Sequence, residues 1–259
     1  MEFVSPEGLR VDGRRPKELR ALAVELGVLP HADGSAALSM GNTRVLAAVF
    51  GPREAGGRGA ADPSKATIRC ECTTAQFAAA GRQRRGEYSR GADRRAAELS
   101  ASVRDALEQT VLVELLPRAQ IDVAVQVLNA DGGVRAACVN AAFLALADAG
   151  VPCRDALAAC AACHLESTAL LDPGKQEETA AGPEVTVAAH AGELRLVLLQ
   201  AEGRLGVEAL DDVLGLAEAG CAAVHESLRA AMRERVALLA AARRLEVGGA
   251  DAFGAHVSM

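Results

Sequence analysis

The feature that most constrains this chain is a strand, a glycine pair and a helix in immediate succession between Ile121 and Asp148. Ile121, Val123, Val125 and Val127 alternate with Asp122, Ala124 and Gln126, the period of a strand with one buried face. The run ends at Asp131-Gly132-Gly133, and a helical stretch follows to about Asp148, with Gly150 and Pro152 in stop positions. Such a junction leaves backbone N–H groups at the helix start without partners, and the helix dipole makes that end positive. In outline it is an anion site. Arg135, in the first turn, adds a planar cation able to grip two phosphate oxygens at once. A plain cap and tight turn accounts for the same residues, so the loop alone leaves both readings open.

The flanking segments set the fold class. Apolar stretches at 17–28 and 35–50, broken at His31-Ala32-Asp33-Gly34 and Gly41-Asn42-Thr43, predict a β meander. Gly51 to Lys65 is predicted as a loop and Thr67 to Thr73 as a strand with Cys70 and Cys72 on one side. Leu99, Val103, Leu107 and Val111 predict a helix from Arg94 to Val113. In the helix after Gly133, Ala137, Ala141 and Ala145 form a small-residue face that permits close packing. Strand-like runs at 155–171 and 184–200 lead into a long amphipathic helix marked by Leu210, Val213, Ala217, Cys221, Val224, Leu228 and Met232. Helices interrupt groups of strands, which favours an α+β fold of mixed sheets and packed helices over a doubly wound parallel sheet. We expect one domain over residues 1–243 and a flexible C-terminal tail over 244–259.

Composition removes several function classes. The longest unbroken apolar run, Ala156 to Cys163, is too short to span a bilayer. The N-terminus lacks the basic and apolar regions of a secretory leader, and seven cysteines, an odd number, point to free thiols in a reducing compartment. Only five Phe and one Tyr are present, which weakens RNA binding by base stacking and favours backbone-directed contacts. With a net charge of −6, any polyanion site must be local. Gly81 to Arg95 supplies one, setting Arg82, Arg84, Arg85, Arg90, Arg94 and Arg95 against Glu87 and Asp93. Cys160-Ala161-Ala162-Cys163-His164 spells a haem-attachment pattern, but it lies in the apolar run, where buried strand cysteines are the better reading. It lacks the second ligand pair of a structural zinc site.

Four stretches carry a more specific signal together: RVDGRRP at Arg10 to Pro16, ADGSA and MGNTRVLAAVFGPRE within Ala32 to Glu54, PRAQIDVAVQVLNADGG at Pro117 to Gly133, and AACVNAAFLALADAGVPCRD at Ala136 to Asp155. The set resembles the RNase PH family over nearly the whole chain, and is most similar to members that build the ring of the RNA exosome. That resemblance implies the RNase PH fold, of the ribosomal protein S5 domain 2-like type. It implies a hetero-hexameric ring with other RNase PH-like subunits, RNA 3′ ends led into a channel, and S1/KH cap subunits and hydrolytic nucleases docked on the ring. It also implies residence in nucleus, nucleolus and cytoplasm.

The implied activity is a phosphate-dependent 3′-to-5′ exoribonuclease acting in RNA processing and decay, including rRNA processing and mRNA turnover. Inorganic phosphate, as co-substrate, would be held by Gly132, Gly133, Val134 and Arg135 and attack the terminal phosphodiester. Val134 stands where the family has Ser or Thr, while Arg135 keeps a cation that inactive members can lack. Glu178 and Glu184 match two family aspartates at the same spacing. The first of these is the implied general acid, and both are implied ligands of Mg2+. Arg94 and Arg95 match a pair that contacts RNA, and Arg82, Arg84 and Arg85 belong to the same basic stretch. Two alternatives stay open: a catalytically inactive structural and RNA-channel subunit, and a free-standing RNase PH that trims tRNA 3′ ends.

Overall fold

The computed structural model describes residues 3–5, 7–54, 63–78, 90–165, 168–180, 183–192 and 195–243, with the backbone alone at 90–93. Three strands open the chain: β1 (Leu22–Leu26), β2 (Gly34–Met40) and β3 (Thr43–Glu54). They form the predicted antiparallel meander, with register pairs such as Val24 with Leu38 and Ala36 with Ala47. The strand β4 (Thr67–Thr74), the helix α1 (Arg90–Thr110) and the strand β5 (Ala119–Asn129) follow. β5 pairs with β3 antiparallel and with β4 parallel, so the first sheet is mixed, in the order β1-β2-β3-β5-β4. β3 continues four residues into the segment predicted as loop, because Arg53 and Glu54 still pair with Gln120 and Ala119.

The second half contributes α2 (Val134–Asp148), β6 (Leu157–Leu165), β7 (Thr168–Leu171), α3 (Lys175–Ala180), β8 (Glu184–His190), β9 (Leu196–Glu202) and α4 (Val207–Ala242). Its sheet is wholly antiparallel, in the order β7-β6-β8-β9. α2 lies between the two sheets, packing on β2 and β3 on one side and on β6 and β8 on the other. α4 covers the far face of the second sheet, where Val213, Ala217 and Cys221 meet Cys160, Ala162, Val185 and Val187. Cys160 and Cys163 face different clusters, as residues three apart on a strand must, which disposes of the haem pattern. All seven cysteines are free, and the sulfurs of Cys70 and Cys72 lie 3.8 Å apart on one face of β4.

The small-residue face predicted for α2 understates its burial. Eleven consecutive residues, Ala136 to Leu146, are buried. A helix sandwiched between two sheets has no solvent face, so its pattern is apolar all round rather than amphipathic. Alanines there let both sheets approach closely, while Phe143, Leu144 and Leu146 fill the remaining space. Asn140 is the exception, and it is fully buried. β7 is too short to pair with Ala159, so Asn140 Nδ2 donates to the Ala159 carbonyl (2.8 Å) and the Ala159 N–H donates to Asn140 Oδ1 (2.7 Å). Two edge groups of β6 are thereby satisfied from the helix. Among the described residues no helix is long and apolar enough to cross a membrane. Asn140→Ala leaves both groups unmet in the core and is expected to cost about 2–4 kcal/mol of unfolding free energy. Urea denaturation measures it, and a loss below about 1 kcal/mol would mean that this bridge does not couple α2 to the second sheet.

Candidate active site at the start of helix α2

The turn from β5 into α2 is shaped by what lies against it. Gly132 and Gly133 have φ of +86° and +61°, the left-handed region that side chains avoid. A Cβ on Gly132 would lie 2.3 Å from the Pro173 carbonyl oxygen, and one on Gly133 would lie 2.9 Å from Arg20 Nη2. The glycine pair therefore serves packing as well as access to the backbone.

Pro173 is held there by arginines that sequence reading gave no role. Arg20 grips Asp172 with two hydrogen bonds, Nε to Oδ2 (2.9 Å) and Nη2 to Oδ1 (2.6 Å). The same guanidinium donates to the carbonyls of Asp131 (2.5 Å) and Gly132 (3.1 Å). One cation thus ties the glycine turn to the segment that follows β7. Arg10 is buried and forms a second fork on Glu177, while its Nη1 donates to the Leu171 carbonyl (2.6 Å). Arg14 donates to the Asp172 carbonyl (3.1 Å). The RVDGRRP stretch is in this respect an anchor for the segment that leads into α3. Glu177 and Glu178 sit on the short helix α3, with Glu177 buried.

The expected site residues converge in part. Glu178 reaches across so that its Oε1 accepts the Gly133 N–H (2.5 Å), one of the donors expected to face a phosphate. Burial pushes the Glu178 carboxyl above its ordinary range, with the Gly133 N–H and Arg20 pulling the other way. Glu184 begins β8. Burial first, and then the charge of Glu178, raise its carboxyl to about 7, partly offset by Arg135. Arg135 donates from Nη2 to Glu202 Oε1 (2.7 Å) at the end of β9, and its Nε is buried with no partner. Glu202, absent from the sequence reading, is the register partner of Glu184, so the pairing of β8 with β9 brings it to the site. Val134 follows the glycine pair in the first turn and offers the backbone alone.

A Mg2+ ion suits this donor set. The side chains of Glu178 and Glu184 are all-oxygen ligands for a hard cation, and such an ion would offset the burial and mutual charge that disfavour their ionised forms. Among the described residues no group of three acidic, His or Cys side chains forms a ready cage, so other oxygens would complete the shell.

The basic stretch is partly described. Arg82, Arg84 and Arg85 lie outside the described residues. Arg94 and Arg95 are exposed on α1, which starts at Arg90, so they stand a turn further into the helix than expected. Thr110, at the C-terminal end of α1, meets His190 (3.1 Å), whereas Ser102 and Glu98 both bond Gln200 on β9. α1 therefore runs antiparallel to β9, and its N-terminal half points toward the end that carries Glu202. That orientation sends Arg94 and Arg95 toward the Arg135 end of the molecule.

A 3′ exoribonuclease family model, domain 1, matches residues 18–152, from just before β1 to just past the end of α2. The chain belongs to this RNase PH family of 3′ exoribonucleases. Its relatives narrow the resemblance to one kind of subunit. It is 46% identical to the exosome complex component RRP41 homolog of Arabidopsis thaliana, over 90% of this chain and 95% of that one. It is 42% identical to exosome complex component RRP41 of Homo sapiens, over 91% and 95%. For Rrp41 of Thermococcus onnurineus the identity is 39%, over 97% of each. Among solved structures, rice Rrp46 superposes with a TM-score of 0.74 at 25% identity, covering 86% of this chain and all of that one. An Archaeoglobus fulgidus exosome with RNA bound to its active site shares the fold, with a TM-score of 0.72 at 21% identity over 85% of this chain and 93% of that one.

Removing Arg20 tests the clamp. Arg20→Met leaves Asp172 as a buried charge without its partner, and about 3–5 kcal/mol of unfolding free energy is expected to go with it. A chemical-denaturation midpoint unchanged from the wild type would show that the pair does not hold the turn.

Proposed function

We propose that the chain is a core ring subunit of an RNA exosome that degrades RNA from the 3′ end by phosphorolysis. The observation that carries this reading is Arg135, whose buried Nε has no partner beside the glycine turn and the start of α2. A tetrahedral oxyanion there would take the Arg135 fork, the helix dipole and the backbone N–H groups together. Inorganic phosphate is such an anion, and its oxygen would attack the terminal phosphodiester, with a nucleoside diphosphate leaving. The Glu178–Glu184 pair lies across the same site, both carboxyls raised by burial and Glu184 further by the charge of Glu178, so the pair can hold a proton for the departing 3′ oxygen. Glu178 and Glu184 are also the residues that would hold Mg2+. The ion would supply charge neutralisation beside the phosphate oxygens.

The RNA would approach along Arg94 and Arg95, exposed cations without an ion pair among the described residues and suited to backbone phosphates rather than bases. The relatives carry exosome names at 39–46% identity, which favours a ring with other RNase PH-like subunits over a free-standing tRNA-trimming enzyme. A structural, inactive subunit is the competing reading, favoured by Val134 and by a Glu178 that already occupies the Gly133 N–H.

Assay of the assembled ring on 3′-labelled RNA, with and without inorganic phosphate, separates the two. Phosphate-dependent nucleoside diphosphates are expected, falling about a hundredfold or more in Arg135→Ala. Yields equal to that variant in the wild type would leave only the structural role. In the same ring, Arg94→Glu with Arg95→Glu is expected to weaken RNA binding about tenfold or more, strongly so at low salt. Unchanged affinity would remove these arginines from the RNA path.

A further inference from the structure

Arg135 is poorly used in this structure for so costly a residue. A guanidinium presents its donors as a planar fork, and here a single one meets Glu202 (2.7 Å) while Nε, although buried, has no partner. The two members of the pair are unlike in their freedom. The Arg135 side chain is 16% exposed and fixed in the site, whereas that of Glu202 is 56% exposed at the end of a strand. Arg135 is the only hydrogen-bond partner of the Glu202 carboxylate among the described residues. Its register partner across the sheet is Glu184, so a like charge stands opposite it. Strand pairing fixes the backbone of Glu202, but its carboxylate is held toward the site by Arg135 alone and can turn to water at little cost.

We propose that Glu202 is an internal competitor for the oxyanion at Arg135, and that inorganic phosphate binds by displacing it. The inference rests on the reading of Gly132 to Arg135 as a phosphate cradle. In the resting state a carboxylate oxygen of Glu202 occupies part of the place of a phosphate oxygen, neutralising the largely buried Arg135 cation through one donor and leaving Nε unmet. Phosphate, with oxygens to span Nε and Nη2 together, outcompetes it by satisfying both. The displaced Glu202 turns outward from its exposed position. The arrangement sets the phosphate concentration at which the site fills, and Glu202 is thus a residue that tunes affinity rather than one that touches the reacting atoms.

Calorimetric titration of the full-length chain, in complex with its ring partners, with inorganic phosphate tests this. Glu202→Gln keeps the shape and removes the charge, and is expected to bind phosphate about three- to fivefold more tightly than the wild type, the effect of an exposed ion pair. In turnover the KM for phosphate should fall by the same factor with the KM for RNA unmoved. A residue with only a structural role would loosen binding, not tighten it. Glu202→Ser, shorter and neutral, repeats the test should Glu202→Gln not assemble. Phosphate affinity equal to or weaker than the wild type in the neutral variants, with binding abolished in Arg135→Ala, would overturn the competitor and leave the cradle intact. Wild-type affinity in Arg135→Ala would overturn the cradle itself.

Discussion

The two-pronged hydrogen bond between Arg20 and Asp172 is the contact on which the rest of the site depends. Asp172 is fully buried and adopts a φ of +49°, a backbone conformation that non-glycine residues rarely take. A buried carboxylate in that state persists only with a cation fitted to it, and Arg20 supplies the fit. Because the same guanidinium also holds the Asp131 and Gly132 carbonyls, the turn before α2 and the segment leading to α3 move as one piece. The glycine turn and the Glu178–Glu184 pair are thus set against each other by one guanidinium.

Helix α2 joins this local constraint to the whole fold. It is the layer shared by both sheets, and its N-terminus opens on the site while Asn140 fastens its middle to β6. A helix gripped on both faces cannot shift its first turn without disturbing two sheets, so the backbone donors stay in place without a ligand. Preorganisation of that kind keeps the reorganisation cost of binding an anion low. Glu178 and Glu202 hold the site in the meantime, one on the Gly133 N–H and the other on Arg135.

Much of this was legible in the residues. Alternation in β5, the glycine pair and the helix stops after Asp148 placed the central junction correctly, because each depends on local backbone physics. The four family-like stretches led to the family that the comparisons then established. What escaped notice was non-local. Arg10 and Arg20 were visible, yet nothing in their surroundings reveals that they meet Glu177 and Asp172 more than a hundred residues away. Glu202 entered only through strand register, and register between distant strands is not written in spacing. The all-round burial of α2 is not legible from its residues, because an alanine-rich face looks the same whether one side or every side is covered. α1 begins at Arg90, four residues before the expected Arg94, because charge is compatible with helix as readily as with loop.

The central claim is that Gly132 to Arg135 delivers inorganic phosphate to the end of an RNA. Radiolabelled inorganic phosphate, supplied with unlabelled RNA to the assembled ring, tests it most directly. Label is expected in the β-phosphate of the released nucleoside diphosphates, since the attacking oxygen comes from the bound phosphate. Release of unlabelled nucleoside monophosphates, with the label left in inorganic phosphate, would mean that water is the attacking group and would contradict it.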